Sequence, residues 1–300
     1  MPNSPAHPSH ATLAGIGLML ASVFLFTVND ALGKWMVAVY PVGQFILLRA
    51  AGSLILIGPY AWRTGWQPFR DAPRKGLQLL RIVLSTVEMA LFFWAVSYLP
   101  LADTITFWLA TPIYVTALSP LVLGERVGWR RWTAVLIGFA GVILAMRPTA
   151  ATFTGPALIA VSGSILYAFS LMATRALRDI PNTVLTTGQL LGSLLIGLLL
   201  VPLGWKTPSL TDLGIVMVIA GFATVAVFCL NRALILAPAT VVTPFQYTMI
   251  VWAVIFGYAM FGDIPDWQTL AGAVIIIGAG IYIFWREQKL GKPAVPIDPP

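Results

Sequence analysis

The chain has 300 residues, 58% of them hydrophobic and only 10% charged, with a net charge of +7. A water-soluble domain carries roughly 25% charged residues, so this composition excludes a soluble globular protein and makes lipid the solvent for most of the surface. The single cysteine, Cys229, excludes an intramolecular disulfide, and the two histidines, His7 and His10, precede the first apolar run, so no intramembrane histidine serves a Ser–His triad, a His-ligated metal or a proton relay.

The first twelve residues, 1–12, are rich in Pro, Ser and His and read as a disordered N-terminus. Nothing before Thr12 is basic and the first apolar run is long, which argues against a signal peptide. A helix needs about 20 apolar residues to cross the hydrocarbon core. Ten stretches qualify, at 13–35, 42–62, 77–98, 101–123, 131–147, 155–174, 183–203, 211–230, 239–261 and 269–285. Pro, Gly and charged residues punctuate them, as at Tyr40-Pro41, Gly65–Lys75 and Thr149–Thr154. Residues 286–300 form a short basic and then Pro-rich tail.

Charge sorting tests this count. With a cytoplasmic N-terminus, 14 of the 18 basic residues fall on the inner side, Arg81 and Arg175 among them. Lys34, Arg147 and Lys206 fall outside, and Arg49 lies within a span. Both termini are then cytoplasmic, and the positive charge marks topology and lipid headgroups, not a nucleic-acid surface.

The chain also repeats itself. At a constant offset of 138, Pro100 falls on Pro238, Phe107 on Phe245, Gly124 on Gly262, Glu125 on Asp263 and Trp129 on Trp267. A weaker register at offset 140 relates Ser22 to Ser162, Thr27 to Tyr167 and Arg49 to Gln189. Each half, 13–147 and 155–285, holds five spans, so the second must enter the membrane from the opposite side. The expected fold is therefore all-α and integral to the membrane, with ten transmembrane helices in two inverted five-helix repeats.

Ionisable groups inside a membrane are costly and are functional candidates by default. Asn29 and Asp30 lie in the outer half of the first span. Asp30 either contacts substrate or pairs locally with Lys34 at i,i+4. Arg49, inside the second span, needs a carboxylate or several carbonyls: Asp30, Glu88 and Asp103 are available for an ion pair, and a substrate carboxylate is the alternative. Glu88 lies mid-span in LSTVEMALFFW and shares a helical face with Ser85 and Phe92. It either faces a cavity, where it meets an ammonium group or carries a proton, or bonds structurally to neighbouring helices. Tyr114, Tyr167 and Tyr247, with Gln246, place polar tips at mid-span depth in an otherwise apolar setting. Pro112, Pro120 and Pro244 remove helix hydrogen bonds and are candidate hinges.

The block PLADTITFWLATPIYVTALSPLVLGERVGWRRWTAVLIGFAGVILAMRP, with LGER between two apolar spans, resembles the repeat of the drug/metabolite transporter superfamily, EamA family. The stretch Asn29–Trp35 followed by Tyr40-Pro41 and Gln44–Arg49 is similar to its exporter-like branches. The resemblance covers about residues 13–285. It implies an inner-membrane secondary transporter working by alternating access, a monomer with a small-molecule substrate and no cofactor or metal. Such proteins export amino acids, related metabolites or drugs; relatives import riboflavin or S-adenosylmethionine. Gly262-Asp263 departs from the Gly-Glu pattern, so Glu125 is read as a helix-end and topology residue. No GxxxxGK[ST] loop is present, so energy comes from a gradient or none is needed. Proton coupling through Glu88 and plain facilitation both stand, and a lipid flippase or membrane enzyme is the remote alternative.

Overall fold

The computed structural model describes residues 10–65, 67–99, 101–125, 127–146 and 154–262, and positions 267–268, 270–272, 274–275, 278–279 and 282. The tail 286–300 and most of the expected span 269–285 lie outside the described residues, as do Arg126, Arg147 and Asp263. Among the described residues all regular structure is helical.

Two helices open the chain, α1 (His10–Val37) and α2 (Val42–Thr64), joined through Tyr40-Pro41. A short α3 (Gln67–Arg70) precedes α4 (Lys75–Val96). Then come α5 (Leu101–Trp108), α6 (Thr111–Val122) and α7 (Trp129–Met146). The second half begins with α8 (Gly155–Ala176), α9 (Asn182–Leu200) and α10 (Leu210–Leu236). It continues through α11 (Ala239–Val242), a 3-10 turn (Thr243–Thr248), α12 (Met249–Phe256) and a π-helical turn (Gly257–Phe261). Among the described residues seven helical segments are long and apolar enough to cross a membrane: α1, α2, α4, α8, α9 with its 3-10 extension, α10 and 239–261. The chain is a multi-pass membrane protein, and large apolar side chains such as Trp62 and Leu210 stand almost fully exposed, as a lipid-facing surface requires.

The expected span 101–123 is not one continuous helix. Pro112 has no N–H for the carbonyl of Trp108, so α5 ends and the chain turns at Leu109-Ala110. Pro112 then sits in the first turn of α6, where a missing N–H costs nothing. Pro120 lies inside the last turn of α6. The segment 239–261 is also broken, with Pro244 opening its 3-10 turn. At the 138 offset the turn at Leu109-Ala110 falls on Tyr247-Thr248, where that 3-10 turn ends, so both halves interrupt the same helix at the same register.

Packing fixes helix directions. Gly15 of α1 lies beside Ala237 and Ala233, and the Ser22 hydroxyl donates to the Ala226 carbonyl at 2.8 Å, so α1 and α10 are antiparallel. Gly43 and Gly197 place α2 antiparallel to α9. Arg81 against Thr174 and Leu91 against Gly163 place α4 antiparallel to α8. By contrast, Ser53 to Ala220 and Tyr60 to Phe228 make α2 parallel to α10. Arg81 to Leu185 and Met89 to Ser193 make α4 parallel to α9. Helices α1, α4 and α9 therefore run one way, and α2, α8 and α10 the other.

Candidate functional site

Between these helices opens a cavity of ≈ 1060 Å³ of space between atoms, part of it continuous with the exterior. Its wall draws on α1, α2, α4, α5, α8, α9, α10, the 3-10 turn and α12, so both halves build it. Most of the wall is apolar, from Met19, Phe26, Phe92, Leu171, Val227 and Met249 among others.

Polar groups converge on this apolar wall. The Arg49 Nη1 donates to Asn29 Oδ1 at 3.2 Å, and Asn29 Nδ2 donates to Asp30 Oδ1 at 2.8 Å. Asn29 thus stands between the guanidinium and the carboxylate, and among the described residues Arg49 forms no direct salt bridge. Its Nη2 meets the Met89 sulfur, a weak acceptor, and its charge lies 5.4 Å from the Phe93 ring centroid. The Nε is buried without a hydrogen-bond partner among the described residues. Glu88 accepts from Trp108 Nε1 at 3.3 Å, and the Trp108 ring meets Phe92 edge-on at 5.0 Å. Across the cavity Gln246 Nε2 donates to the Tyr167 hydroxyl at 2.7 Å, and the buried Gln246 carbonyl oxygen has no hydrogen-bond partner among the described residues.

A second polar group closes one end. Arg81, counted in the charge sorting with the inner-side cations, is instead a fully buried residue of α4, at 2% exposure. Its Nε donates to Thr174 at 2.7 Å and its Nη1 to the Leu185 carbonyl at 2.9 Å. Its Nη2 reaches Gln189 Oε1 at 3.1 Å and Asn231 Oδ1 at 2.9 Å. Thr174, Gln189 and Asn231 line the cavity, with Arg81 behind them.

Of the residues singled out in the sequence, Asn29, Asp30, Arg49, Glu88, Phe92, Tyr167 and Gln246 come together on the cavity wall. Tyr114 and Tyr247 do not reach it. Tyr114 packs in the apolar cluster of α1, α8 and α10, and the Tyr247 ring is turned against Gly138 of α7. Trp108, Gln189, Asn231 and Arg81 were missed as site residues. Gln189 carried a signal, because it occupies the repeat position of Arg49, and Asn231 carried another as a lone amide within an apolar run. Glu125, read as a helix-end residue, accepts from Ala239 and Thr240 of the other half and pairs with Arg175 Nε at 3.6 Å.

The family model "EamA-like transporter family" matches twice, over residues 13–147 and 154–285. The chain is 26% identical over 284 residues to an S-adenosylmethionine uptake transporter of Rickettsia bellii, covering 92% of this chain and 94% of the relative. It is 28% identical over 289 residues to a riboflavin transporter of Vibrio cholerae, covering 94% and 97%. A pseudopaline exporter of Pseudomonas aeruginosa is 26% identical over 273 residues, covering 89% and 95%. One solved crystal structure superposes with a TM-score of 0.74 at 17% identity, over 95% of this chain and 99% of that one, which shows a shared fold.

Proposed function

The chain belongs to the EamA-like transporter family, and from that premise we propose that it is a secondary transporter that moves amino acids and related small metabolites or drugs across an inner membrane, in the export direction. The reading completes the two repeats, 13–147 and 155–285, as five spans each in opposite orientation, with both termini cytoplasmic. The opposed directions of α1 and α8, α2 and α9, and α4 and α10 support that inversion. Two copies of one fold inserted in opposite senses exchange conformations and open a central site to either side in turn. The breaks beside Pro112 and Pro244 sit where such a change concentrates, with Pro120 loosening the end of α6.

One observation carries the substrate reading: Glu88, a carboxylate at mid-depth, faces a cavity built by both halves and keeps only Trp108 Nε1 as a hydrogen-bond donor among the described side chains. An ammonium group or a proton is its natural counterpart. Asp30 and Arg49 lie on the same wall, which suits a substrate with both charges. A monomer suffices, since one chain encloses the cavity, and the reading needs no cofactor.

A second reading, import of a cofactor such as riboflavin or S-adenosylmethionine, draws on the relatives named for those compounds. Transport in proteoliposomes decides between them, with a radiolabelled panel of amino acids, riboflavin and S-adenosylmethionine, with and without a pH gradient, for wild type and Glu88→Gln. Saturable amino-acid flux that Glu88→Gln abolishes or frees from the gradient is the expected result. Flux of the cofactors alone selects import, and wild-type flux of nothing removes the transporter reading and returns the flippase.

A further inference from the structure

Glu88 and Arg81 lie seven residues apart on α4, two helical turns, so their α-carbons are separated by roughly 10 Å along the axis. Both belong to the face of α4 turned to the cavity wall. The other two buried charges near the cavity, Asp30 and Arg49, offset one another through Asn29. What remains is one carboxylate at mid-depth and one guanidinium at the end. Among the described residues Arg81 has no carboxylate partner; its acceptors are a hydroxyl, a backbone carbonyl and two amide oxygens. A buried cation held only by neutral acceptors keeps its field, which low-dielectric surroundings screen weakly.

Arg81 also decides what the cavity end offers a ligand. It occupies the oxygens of Gln189 and Asn231 and the hydroxyl oxygen of Thr174. The Asn231 Nδ2 donates to Thr186, and the Thr174 hydroxyl donates to Ser170. Among the described residues the Gln189 NH₂ and the second N–H of Asn231 are left for a ligand, donors backed by a positive charge. This end accepts carboxylate, phosphate or carbonyl oxygens and disfavours cations, whereas Glu88 does the reverse.

We propose that the cavity is a charge ruler, selecting a molecule whose cationic group meets Glu88 while its anionic or carbonyl group, several bonds away, meets the Arg81-backed amide of Gln189. This rests on the transporter reading and narrows its substrate class. The ammonium and carboxylate of one α-amino acid, a single carbon apart, do not span the two poles. A longer zwitterion does, with its apolar middle against Val227 and Leu171.

The test is a length series of ω-amino acids: glycine, β-alanine, 4-aminobutyrate, 6-aminohexanoate and 8-aminooctanoate. Binding to purified protein is titrated by thermal stabilisation, beside the transport panel. The expected result is an optimum at 4-aminobutyrate or longer, about tenfold tighter than glycine. Gln189→Glu, which gives Arg81 a carboxylate in the same place and so leaves the fold supported, should erase that optimum, as should Glu88→Gln. Equal binding across the series, an optimum at glycine or β-alanine, an optimum unchanged in Gln189→Glu, or no binding by any member would overturn the ruler. Panel flux alongside such a failure retires the ruler alone, whereas an intact optimum with no flux of either the panel or the best-bound ω-amino acid retires the transport reading.

Discussion

The Thr240 amide and hydroxyl both donate to Oε2 of Glu125, at 3.2 and 2.7 Å. Glu125 belongs to the turn after α6 in the first half, and Thr240 opens the broken helix of the second. The other carboxylate oxygen accepts from the Ala239 amide at 3.2 Å and stands 3.6 Å from Arg175 Nε. Arg175 in turn donates to the Leu234 and Ile235 carbonyls at 2.8 and 3.1 Å. One carboxylate therefore ties the ends of α8 and α10, the turn after α6 and the start of the segment 239–261 together at the face proposed as cytoplasmic. Hydrogen bonds to a charged group contribute about 1.5–3 kcal/mol, so Glu125→Ala should favour opening of this face by about tenfold or more. A cysteine placed at Ser170 on the cavity wall, in a Cys229→Ser background, should then react correspondingly faster with an impermeant maleimide added from that side. Equal rates with and without Glu125 would mean that the contact does not hold the face shut.

The α2–α9 seam gives a prediction about folding. A Cβ added at Gly197 would stand 2.6 Å from the Leu47 amide nitrogen and 2.7 Å from its Cα, and backbone cannot move aside as a flexible side chain can. Gly197→Ala should destabilise the protein by about 1–3 kcal/mol, the cost of overpacking. A Cβ at Gly17 of α1 meets nothing within 4 Å, so Gly17→Ala should be neutral or slightly stabilising through helix propensity. Thermal unfolding of both variants in detergent, followed by circular dichroism, checks the contrast. Two equal melting temperatures would contradict the tight approach.

The position of a charge along an apolar run was legible in the sequence; rotation about each helix axis was not. Glu88 and Arg49 were found because a charge far from either end of an apolar run has few explanations. Arg81 stands only six residues into α4 and so looked like a loop charge; its partners Thr174, Leu185, Gln189 and Asn231 come from three other helices that no local pattern connects to it. Tyr114 and Tyr247 fall inside apolar helical segments, yet they turn away from the cavity. A helix apolar all round gives no periodic signal for which face meets the core and which meets lipid. The broken helices were signalled by Pro112 and Pro244, but not the place of each break, which depends on where the chain can turn and restart.

Asn29 bridges two charges that do not touch. Replacing it with leucine leaves Arg49 Nη1 and Asp30 Oδ1 without their present partners in a buried site, each at a cost of about 1–3 kcal/mol. Asn29→Leu should therefore lower Tm by about 5 °C or more, despite adding an apolar residue to an apolar helix. An unchanged Tm would show that Arg49 and Asp30 move together into a direct pair, and that Asn29 is dispensable for stability.

Trp108 contributes two separable things to Glu88. Its ring meets Phe92 at 5.0 Å with the planes at 90°, an arrangement that phenylalanine retains. Its Nε1 hydrogen donates to the carboxylate at 3.3 Å, and phenylalanine has no such donor. Trp108→Phe should therefore still fold, with Tm lowered by a few degrees because a buried carboxylate loses its donor and the indole's outer ring no longer covers Gly163, while leaving Glu88 unanchored in the cavity. If the indole N–H holds the carboxylate where a substrate cation meets it, losing a hydrogen bond of this charged type reduces kcat/KM by about tenfold or more. The effect should vanish in the Glu88→Gln background, because no carboxylate remains to be oriented. Initial-rate transport by the single and double variants tests this as a cycle. Additive losses would mean that Trp108 acts through packing alone, and the orientation of Glu88 would then need another source.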